Sequence, residues 1–250
     1  MEEKLYFQNS KGNKLCGILS DPTGDKNKPI IILCHGFNSS KNSSTNTALK
    51  LILSRNNISS FRFDFFAHGE SEGNFEDLTQ SESVNDTLQA IKFIKKLGYK
   101  KIGLFGSSFG GLAAIMTASK SKDINLLALK APVSSYFEFA EYNDPKQIEK
   151  EWKKKGYAIR EGKKLNFSFY EDIKNNVAYD VAGKITVPTI IVHGDVDTQV
   201  PISQSRKTAR LMENCELKII RGGSHYLARE EGSREQMLKA LTDFIVKHSK

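Results

Sequence analysis

Residues 102–111, IGLFGSSFGG, contain the feature that decides the fold of this chain. The apolar run at 102–105 predicts a strand, and the small apolar residues at 112–118 predict a helix. Between them lies a G-x-S-x-G motif centred on Ser108. Both glycines of the motif are needed, because a Cβ at either position would collide with the neighbouring strand or helix. The stretch therefore predicts a strand, a sharp turn that exposes the Ser108 hydroxyl, and a helix.

Strands and helices alternate on both sides of this motif. Short apolar runs typical of buried strands lie at 15–19, 30–34, 59–63, 126–129, 189–192 and 217–220, and an edge strand is predicted at 5–8. Apolar residues at helical spacing predict helices at 84–97, 203–212 and 233–248. Because strands that alternate with helices form a parallel sheet with helices on both faces, the predicted fold class is α/β.

The alternation is interrupted between residues 133 and 180, a segment rich in charged and aromatic side chains. Its aromatic residues include Tyr136, Phe137, Phe139, Tyr142, Trp152, Tyr157, Phe167, Phe169 and Tyr170. We interpret 133–180 as a small lid inserted over the carboxyl edge of the sheet, where such folds bind ligands, and assign 1–132 and 181–250 to the α/β core. Two interpretations of the rings stay open: they stack on a planar ligand, or they give the insertion its own core.

The composition is that of an ordinary folded protein. The chain has 250 residues, of which 39% are hydrophobic, 10% aromatic and 26% charged, which fits one domain with a small insertion and argues against disorder. The longest apolar run, at 30–34, is far shorter than the ~20 residues that span a bilayer. The net charge is +8, but the most charge-dense stretch, 138–176, holds nine basic and eight acidic residues. We therefore predict no nucleic-acid partner and no membrane association.

The cysteine pattern favours a reducing compartment. Cys16, Cys34 and Cys215 are far apart and form no C-x-x-C pair, which is typical of free thiols and does not indicate zinc. The first ten residues, MEEKLYFQNS, have neither the basic region nor the apolar region of a signal peptide. We expect a cytoplasmic protein.

A serine hydroxyl becomes a strong nucleophile only when a base takes its proton, and folds with this motif supply an acid and then a histidine later in the chain. His225 lies in the loop RGGSH after a predicted strand and is the predicted base, whereas His193 ends its own strand and is predicted to be structural. The segment HGDVDTQVP, which begins at His193, offers two acids. We favour Asp197 as the acid of the site, because Asp195 is placed to accept local hydrogen bonds from the turn.

The oxyanion of an acyl-transfer intermediate needs two N–H donors. One predicted donor is the backbone N–H of Phe109, which follows the serine. The other is the backbone N–H of Phe37, in the loop after the strand at 30–34. The ring of His35 is predicted to brace that loop.

No cofactor site and no metal site are predicted. Asp64 and His68 are spaced like metal ligands, but two groups are too few and no third is near in sequence, so a role in bracing the loop is favoured. The glycines around the serine motif do not form G-x-G-x-x-G, and Leu112 stands where a Walker loop carries lysine.

Five motifs occur in a characteristic order: HGF at 35–37, RFDFFAHGESEGNF at 62–75, GSSFGG at 106–111, HGDVDTQVP at 193–201 and GGSH at 222–225. Together they resemble the α/β-hydrolase superfamily, and within it the feruloyl and cinnamoyl esterase-like branch. The resemblance implies that Ser108 is the nucleophile, Asp197 the acid and His225 the base. It also implies that Phe37 and Phe109 supply the oxyanion donors, and that an insertion after the sixth strand caps the pocket.

The resemblance further implies a serine carboxylesterase that acts through an acyl-enzyme on small or aromatic esters of the hydroxycinnamoyl type. The expected partner is a small-molecule ester, and a homodimer is left open. A serine peptidase or an acyltransferase of the same fold is the alternative enzyme, and a binding protein that uses the pocket as a receptor is the alternative from another class. One departure from the pattern is Ser107, where many relatives carry histidine or another bulky residue, and it bears on the shape of the pocket.

Overall fold

The computed structural model describes residues 2–139 and 144–249. Its strands are β1 (Glu2–Gln8), β2 (Lys14–Ser20), β3 (Ile30–Cys34), β4 (Ser59–Phe63), β5 (Ile102–Ser107), β6 (Ile124–Lys130), β7 (Tyr157–Arg160), β8 (Lys163–Asn166), β9 (Thr189–Gly194) and β10 (Cys215–Ile220). Eight of them form one sheet in the order β1-β2-β4-β3-β5-β6-β9-β10, in which β2 is antiparallel to both neighbours and the pairs from β4 to β10 are parallel. The predicted α/β class with a mostly parallel sheet is confirmed.

Helices cover both faces of this sheet: α1 (Ser44–Arg55), α2 (Gln80–Lys96), α3 (Phe109–Ala118), α6 (Ile202–Leu211) and α7 (Glu231–His248). Two more helices, α4 (Pro145–Lys155) and α5 (Phe167–Ile173), lie in the segment between β6 and β9. The side chains of β3 alternate between two buried apolar clusters, as the pleat of a strand requires. Ile30 and Ile32 lie in the cluster that contains α2 and α3, and Ile31 and Leu33 lie in the one that contains α1 and α7. The continuous apolar run therefore results from burial of both faces.

The predicted strands of this sheet are all present, including the edge strand at the N-terminal end. The helix predicted at 84–97 begins earlier, at Gln80, because the Thr79 side chain accepts the N–H of Glu82 and caps the first turn. Helix α1 was not predicted, since only three of its apolar residues are buried and Leu51 is exposed, so its sequence shows no clear apolar face. The three cysteines are free thiols, as expected. No helix within the described residues is long and apolar enough to cross a membrane.

The segment between β6 and β9 has more regular structure than its sequence suggested. Helix α4, the β7–β8 hairpin and α5 follow one another there, and the hairpin is separate from the eight-stranded sheet. Helix α4 is capped at its start by Asp144 and ended by Gly156 in the left-handed conformation. Tyr142, one of the aromatic residues of this segment, lies outside the described residues. The division into a core and a lid at 133–180 stays a prediction.

Candidate active site

Ser108 lies at the sharp turn that the sequence predicts. Strand β5 ends at Ser107, α3 begins at Phe109, and Ser108 between them has φ +53° and ψ −116°, a strained conformation for a residue with a side chain. A Cβ on Gly106 would collide with the carbonyl oxygen of Gly110, and one on Gly110 would collide with the carbonyl oxygen of His35. The expected need for both glycines is confirmed.

The structure brings together the three predicted residues of the site, although they are far apart in sequence. His225 Nε2 lies 3.1 Å from Ser108 Oγ, and His225 Nδ1 lies 2.7 Å from Asp197 Oδ2. In the tautomer that satisfies both contacts, Nδ1–H donates to the carboxylate and Nε2 accepts the hydroxyl proton of the serine. This arrangement can transfer a proton from the serine to the imidazole.

The carboxylate of Asp197 is buried, and both of its oxygens accept hydrogen bonds. Its Oδ1 accepts the backbone N–H groups of Gln199 and Val200, each over 2.9 Å. Burial raises the pKa of Asp197, but hydrogen bonds from His193 and His225 outweigh burial and hold this pKa well below its usual range. The group is therefore ionised at neutral pH and stabilises the N–H tautomer of His225 that faces it.

His193 is buried beside Asp197 and helps to hold its carboxylate in place. Its Nε2 lies 3.0 Å from the carbonyl oxygen of Val200 and 3.2 Å from Asp197 Oδ2. Its Nδ1 lies 2.6 Å from Ser205 Oγ, so the serine hydroxyl donates to this nitrogen when Nε2 carries the proton. With both nitrogens occupied and the side chain fully buried, the predicted structural position of His193 is confirmed.

The hydrogen bond of Asp195 reaches further along the chain than we expected. Its carboxylate accepts the N–H of Gly222 over 2.7 Å, a residue 27 positions further along the chain. It therefore ties the loop after β9 to the loop that carries His225, where we expected only bonds within its own turn. Sequence spacing alone did not reveal this contact, because the two loops meet only where β9 and β10 pair.

The two predicted oxyanion donors belong to residues that line the same cavity as Ser108. Phe109 is the first residue of α3, so its N–H has no partner within the helix. Phe37 follows β3 and lines the same cavity as Ser108. His35 Nε2 accepts the N–H of Phe65 over 3.2 Å, which confirms that this ring braces the loop, and burial lowers the pKa of His35 well below its usual value.

The carboxylate of Asp64 accepts hydrogen bonds from Lys41. Its Oδ1 accepts the backbone N–H of Lys41 over 2.7 Å and its Oδ2 accepts the ammonium group of Lys41 over 2.5 Å. His68 donates its Nδ1–H to the carbonyl oxygen of Phe66 over 2.9 Å. Both side chains thus hold the loop after β4 in place, in agreement with the bracing role.

Two arms of a cleft meet at Ser108. One is a cavity of about 440 Å³ where the aromatic side chains of Tyr136, Phe139 and Phe169 lie on the wall together with polar residues that include Arg160 and Glu161; it is the less polar of the two and is called the apolar arm below. The other is a cavity of about 340 Å³ that is lined mainly by polar side chains, including Ser39, Thr45, Lys130, Gln199 and Arg229. A substrate placed across Ser108 would have an apolar group on one side and a polar group on the other.

The aromatic residues of the insertion divide between the two interpretations. Tyr136 contacts Phe139 and Phe169 with ring centroids 5.5 Å apart, and these three rings line the apolar arm. Trp152 and Phe167 instead pack on Tyr170 at 5.7 and 5.9 Å, away from Ser108, and form a small core. The second interpretation is confirmed for Trp152, Phe167 and Tyr170, whereas stacking of the other three rings on a planar ligand stays a prediction.

Sequence reasoning missed Lys130, the last residue of β6, whose buried ammonium group donates to the carbonyl oxygen of His225. The available signal was a lysine at the carboxyl end of a strand whose other inward positions are apolar. A charged residue at that edge of a parallel sheet faces the ligand-binding side.

The sheet order, the strand–turn–helix around Ser108 and the two loops that carry Asp197 and His225 are those of the α/β-hydrolase superfamily, and the chain has this fold. A family model described as the prolyl oligopeptidase family matches residues 72–250, more than half of the chain. The chain belongs to the prolyl oligopeptidase family.

Comparison with individual proteins supports the same superfamily. The non-heme chloroperoxidase CPO-A1 of Kitasatospora aureofaciens is 39% identical over 80 residues, which are 32% of this chain and 26% of that protein. The thiohydrolase aneE of Aspergillus aculeatus is 31% identical over 140 residues, 53% of this chain and 43% of that protein. The matched segments thus span less than half the length of these two curated relatives. The solved structure of Est1E from Butyrivibrio proteoclasticus with ferulic acid bound superposes with a TM-score of 0.83, covers 98% of each chain and is 24% identical.

Proposed function

We propose that this protein is a serine ester hydrolase that works through an acyl-enzyme. The observation that carries the proposal is the continuous chain of hydrogen bonds from Ser108 Oγ through His225 to Asp197. In it Ser108 is the nucleophile, His225 the general base and Asp197 the group that fixes the tautomer of the histidine.

The reaction follows from this geometry. His225 Nε2 takes the proton from Ser108 Oγ while the oxygen attacks the ester carbonyl, and the N–H groups of Phe37 and Phe109 bind the oxyanion that forms. The imidazolium then returns the proton to the alkoxide, and the alcohol leaves. Water enters, loses a proton to His225 and attacks the acyl-enzyme, which releases the acid and restores the serine.

The cleft supports an assignment of the two sides of the ester. The apolar arm, with the rings of Tyr136, Phe139 and Phe169, suits a small or aromatic acyl group of the hydroxycinnamoyl type. The polar arm suits the leaving alcohol. The similarity to Est1E, which binds ferulic acid, agrees with this assignment.

A serine peptidase acting on short peptides is the second candidate, and the match to the prolyl oligopeptidase family favours it. The same three residues would cleave an amide, with His225 protonating the leaving amine. The two functions differ in the leaving group, so release of an amine from aminoacyl anilides distinguishes a peptidase from an esterase.

The test compares the parent protein with Ser108→Ala on p-nitrophenyl esters of acetic, butyric and cinnamic acid, and on aminoacyl anilides. We expect ester hydrolysis by the parent, a higher kcat/KM for the cinnamoyl ester, no anilide cleavage, and a loss of about 10³-fold or more in kcat in the variant. Ser108 is half-buried at the surface of the cleft, so circular dichroism should show an unchanged fold. Equal rates for parent and variant would contradict the proposal.

A further inference from the structure

We propose that Lys130 is a positioning residue that holds the His225 loop, residues 221–226, against the serine turn. The inference rests on the proposed function, because it concerns the same nucleophile and base. Lys130 lies beside Ser107 in the pairing of β5 with β6. Its ammonium group donates to the carbonyl oxygen of His225 over 2.5 Å, and its own carbonyl oxygen accepts the N–H of Ser108 over 3.0 Å. One residue thus bonds to both partners of the proton transfer.

The burial of Lys130 indicates that this contact has a purpose beyond packing. The residue is 5% exposed, and its ammonium group is bonded to an uncharged carbonyl. Taking an ammonium group out of water is costly unless it is well paired, and methionine would fill the same space without that cost. What lysine adds here is a donor that reaches the backbone of His225, 95 residues away in sequence, and a positive charge beside the imidazole.

Charged groups from two other segments face this ammonium group. Asp197, after β9, and Glu230, before α7, attract it, and Arg229 repels it. Burial is the largest influence and lowers the pKa of Lys130 to about 8. The group therefore carries its charge at neutral pH and loses it in mildly alkaline solution.

The same charge acts on His225. Burial lowers the pKa of His225 most, and the charge of Lys130 and the electrostatic influence of His193 lower it further, while the hydrogen bond and charge of Asp197 raise it. Lys130 thus favours the neutral imidazole, which is the form that accepts the proton of Ser108. Its hydrogen bond and its charge have separate consequences, for the position of the ring and for the pH range of the base.

Two substitutions separate these consequences. Lys130→Met removes both the donor and the charge, whereas Lys130→Gln removes the charge and keeps an N–H donor. For Lys130→Met we expect kcat on a p-nitrophenyl ester to fall about 10-fold to 100-fold, with little change in KM, because the base is misplaced. We expect Lys130→Gln to regain part of kcat.

In both variants the acid limb of the kcat/KM profile should move to higher pH, because the pKa of His225 rises. Lys218→Met, on the edge strand β10, is the control and should leave both quantities unchanged.

The outcomes distinguish this inference from the proposed function. If Ser108→Ala is inactive but Lys130→Met keeps the parental kcat and acid limb, the inference on Lys130 is wrong and the proposed function stands. If Ser108→Ala is as active as the parent, both fail. A second measurement needs no variant. In an NMR titration of the parent, the ring signals of His225 should shift at the same pH at which the side chain of Lys130 loses its proton. A His225 signal that does not change across that titration contradicts the inference even if the variants do not fold.

Discussion

Asp197 is the residue on which the geometry of the site depends. One carboxylate oxygen accepts two backbone N–H groups, and the other faces His225 at 2.7 Å and His193 at 3.2 Å. These contacts fix the carboxylate from several directions, and they hold its pKa low enough for it to stay ionised throughout the neutral range. The ring of His225 is therefore oriented before any substrate binds.

The pH dependence of the reaction follows from His225. Burial lowers the pKa of this residue below its usual value of 6.5, against the opposing effect of Asp197. Because the neutral imidazole is the active base, kcat/KM should be constant near pH 7 and fall on acidification, with a midpoint below pH 6.5. A rate profile from pH 4 to 8 with a substrate that does not titrate measures this midpoint. An acid limb centred above pH 6.5 would show that the Asp197 carboxylate affects the pKa of His225 more strongly than burial does.

Individual site residues differed in how far the sequence revealed them. The order of serine, acid and histidine along the chain placed Ser108, Asp197 and His225, which the fold brings into contact. Lys130 was not predicted, because its role depends on a side chain that reaches the backbone of a distant loop. The same applies to Asp195 and Gly222, which meet only through the pairing of two strands.

Among the elements, the turn between β5 and α3 is the one that the sequence defines most sharply. Gly110 lies so close to β3 that a Cβ there would collide with the carbonyl oxygen of His35 and come within 2.6 Å of that of Cys34. Backbone atoms of a central strand cannot move aside as a flexible side chain does. The motif is thus a packing requirement as well as a signature of chemistry.

Gly110→Ala should therefore destabilise the protein by about 3 kcal/mol or more, at the upper end of the usual cost of overpacking. The matched control is Gly232→Ala in the first turn of α7, where an added Cβ would meet nothing within 4 Å. We expect that change to be neutral or to stabilise by no more than about 1 kcal/mol, since alanine favours helices. Urea unfolding of both variants gives the comparison, and equal stabilities would show that the helix can shift away from β3.

Two of the helices that the sequence did not predict, α1 and α4, escaped prediction for physical reasons. Helix α1 has Leu51 exposed and only a few buried apolar residues, so its sequence lacks a clear apolar face. In α4, Trp152 alone is buried among charged neighbours, which hides the helical period. Both helices are marked instead by capping side chains, Ser43 and Asp144, and short capping signals are hard to separate from turns without the tertiary context.

At the scale of the whole molecule, the cleft is assembled from segments that the sequence keeps far apart. The apolar arm takes Phe37 from the loop after β3, Phe109 from α3, Phe169 from α5 and Val200 from the loop after β9. The parallel sheet makes this convergence predictable in outline, because the carboxyl ends of its strands lie at one edge. The size of the two arms and their contrast in polarity depend on the packing of the insertion, which sequence patterns do not specify.

The most direct test of the account is the covalent intermediate itself. The parent protein is mixed with an excess of p-nitrophenyl ester, quenched with acid within milliseconds, digested and analysed by mass spectrometry. We predict an acyl adduct on Ser108, in the peptide that contains this serine, and no adduct in Ser108→Ala. The adduct should accumulate when the pH is taken below the acid limb before quenching, because His225 is then protonated and deacylation is slow. Steady hydrolysis by the parent with no adduct at Ser108 under any of these conditions, or an adduct at another residue that accounts for turnover, would contradict it.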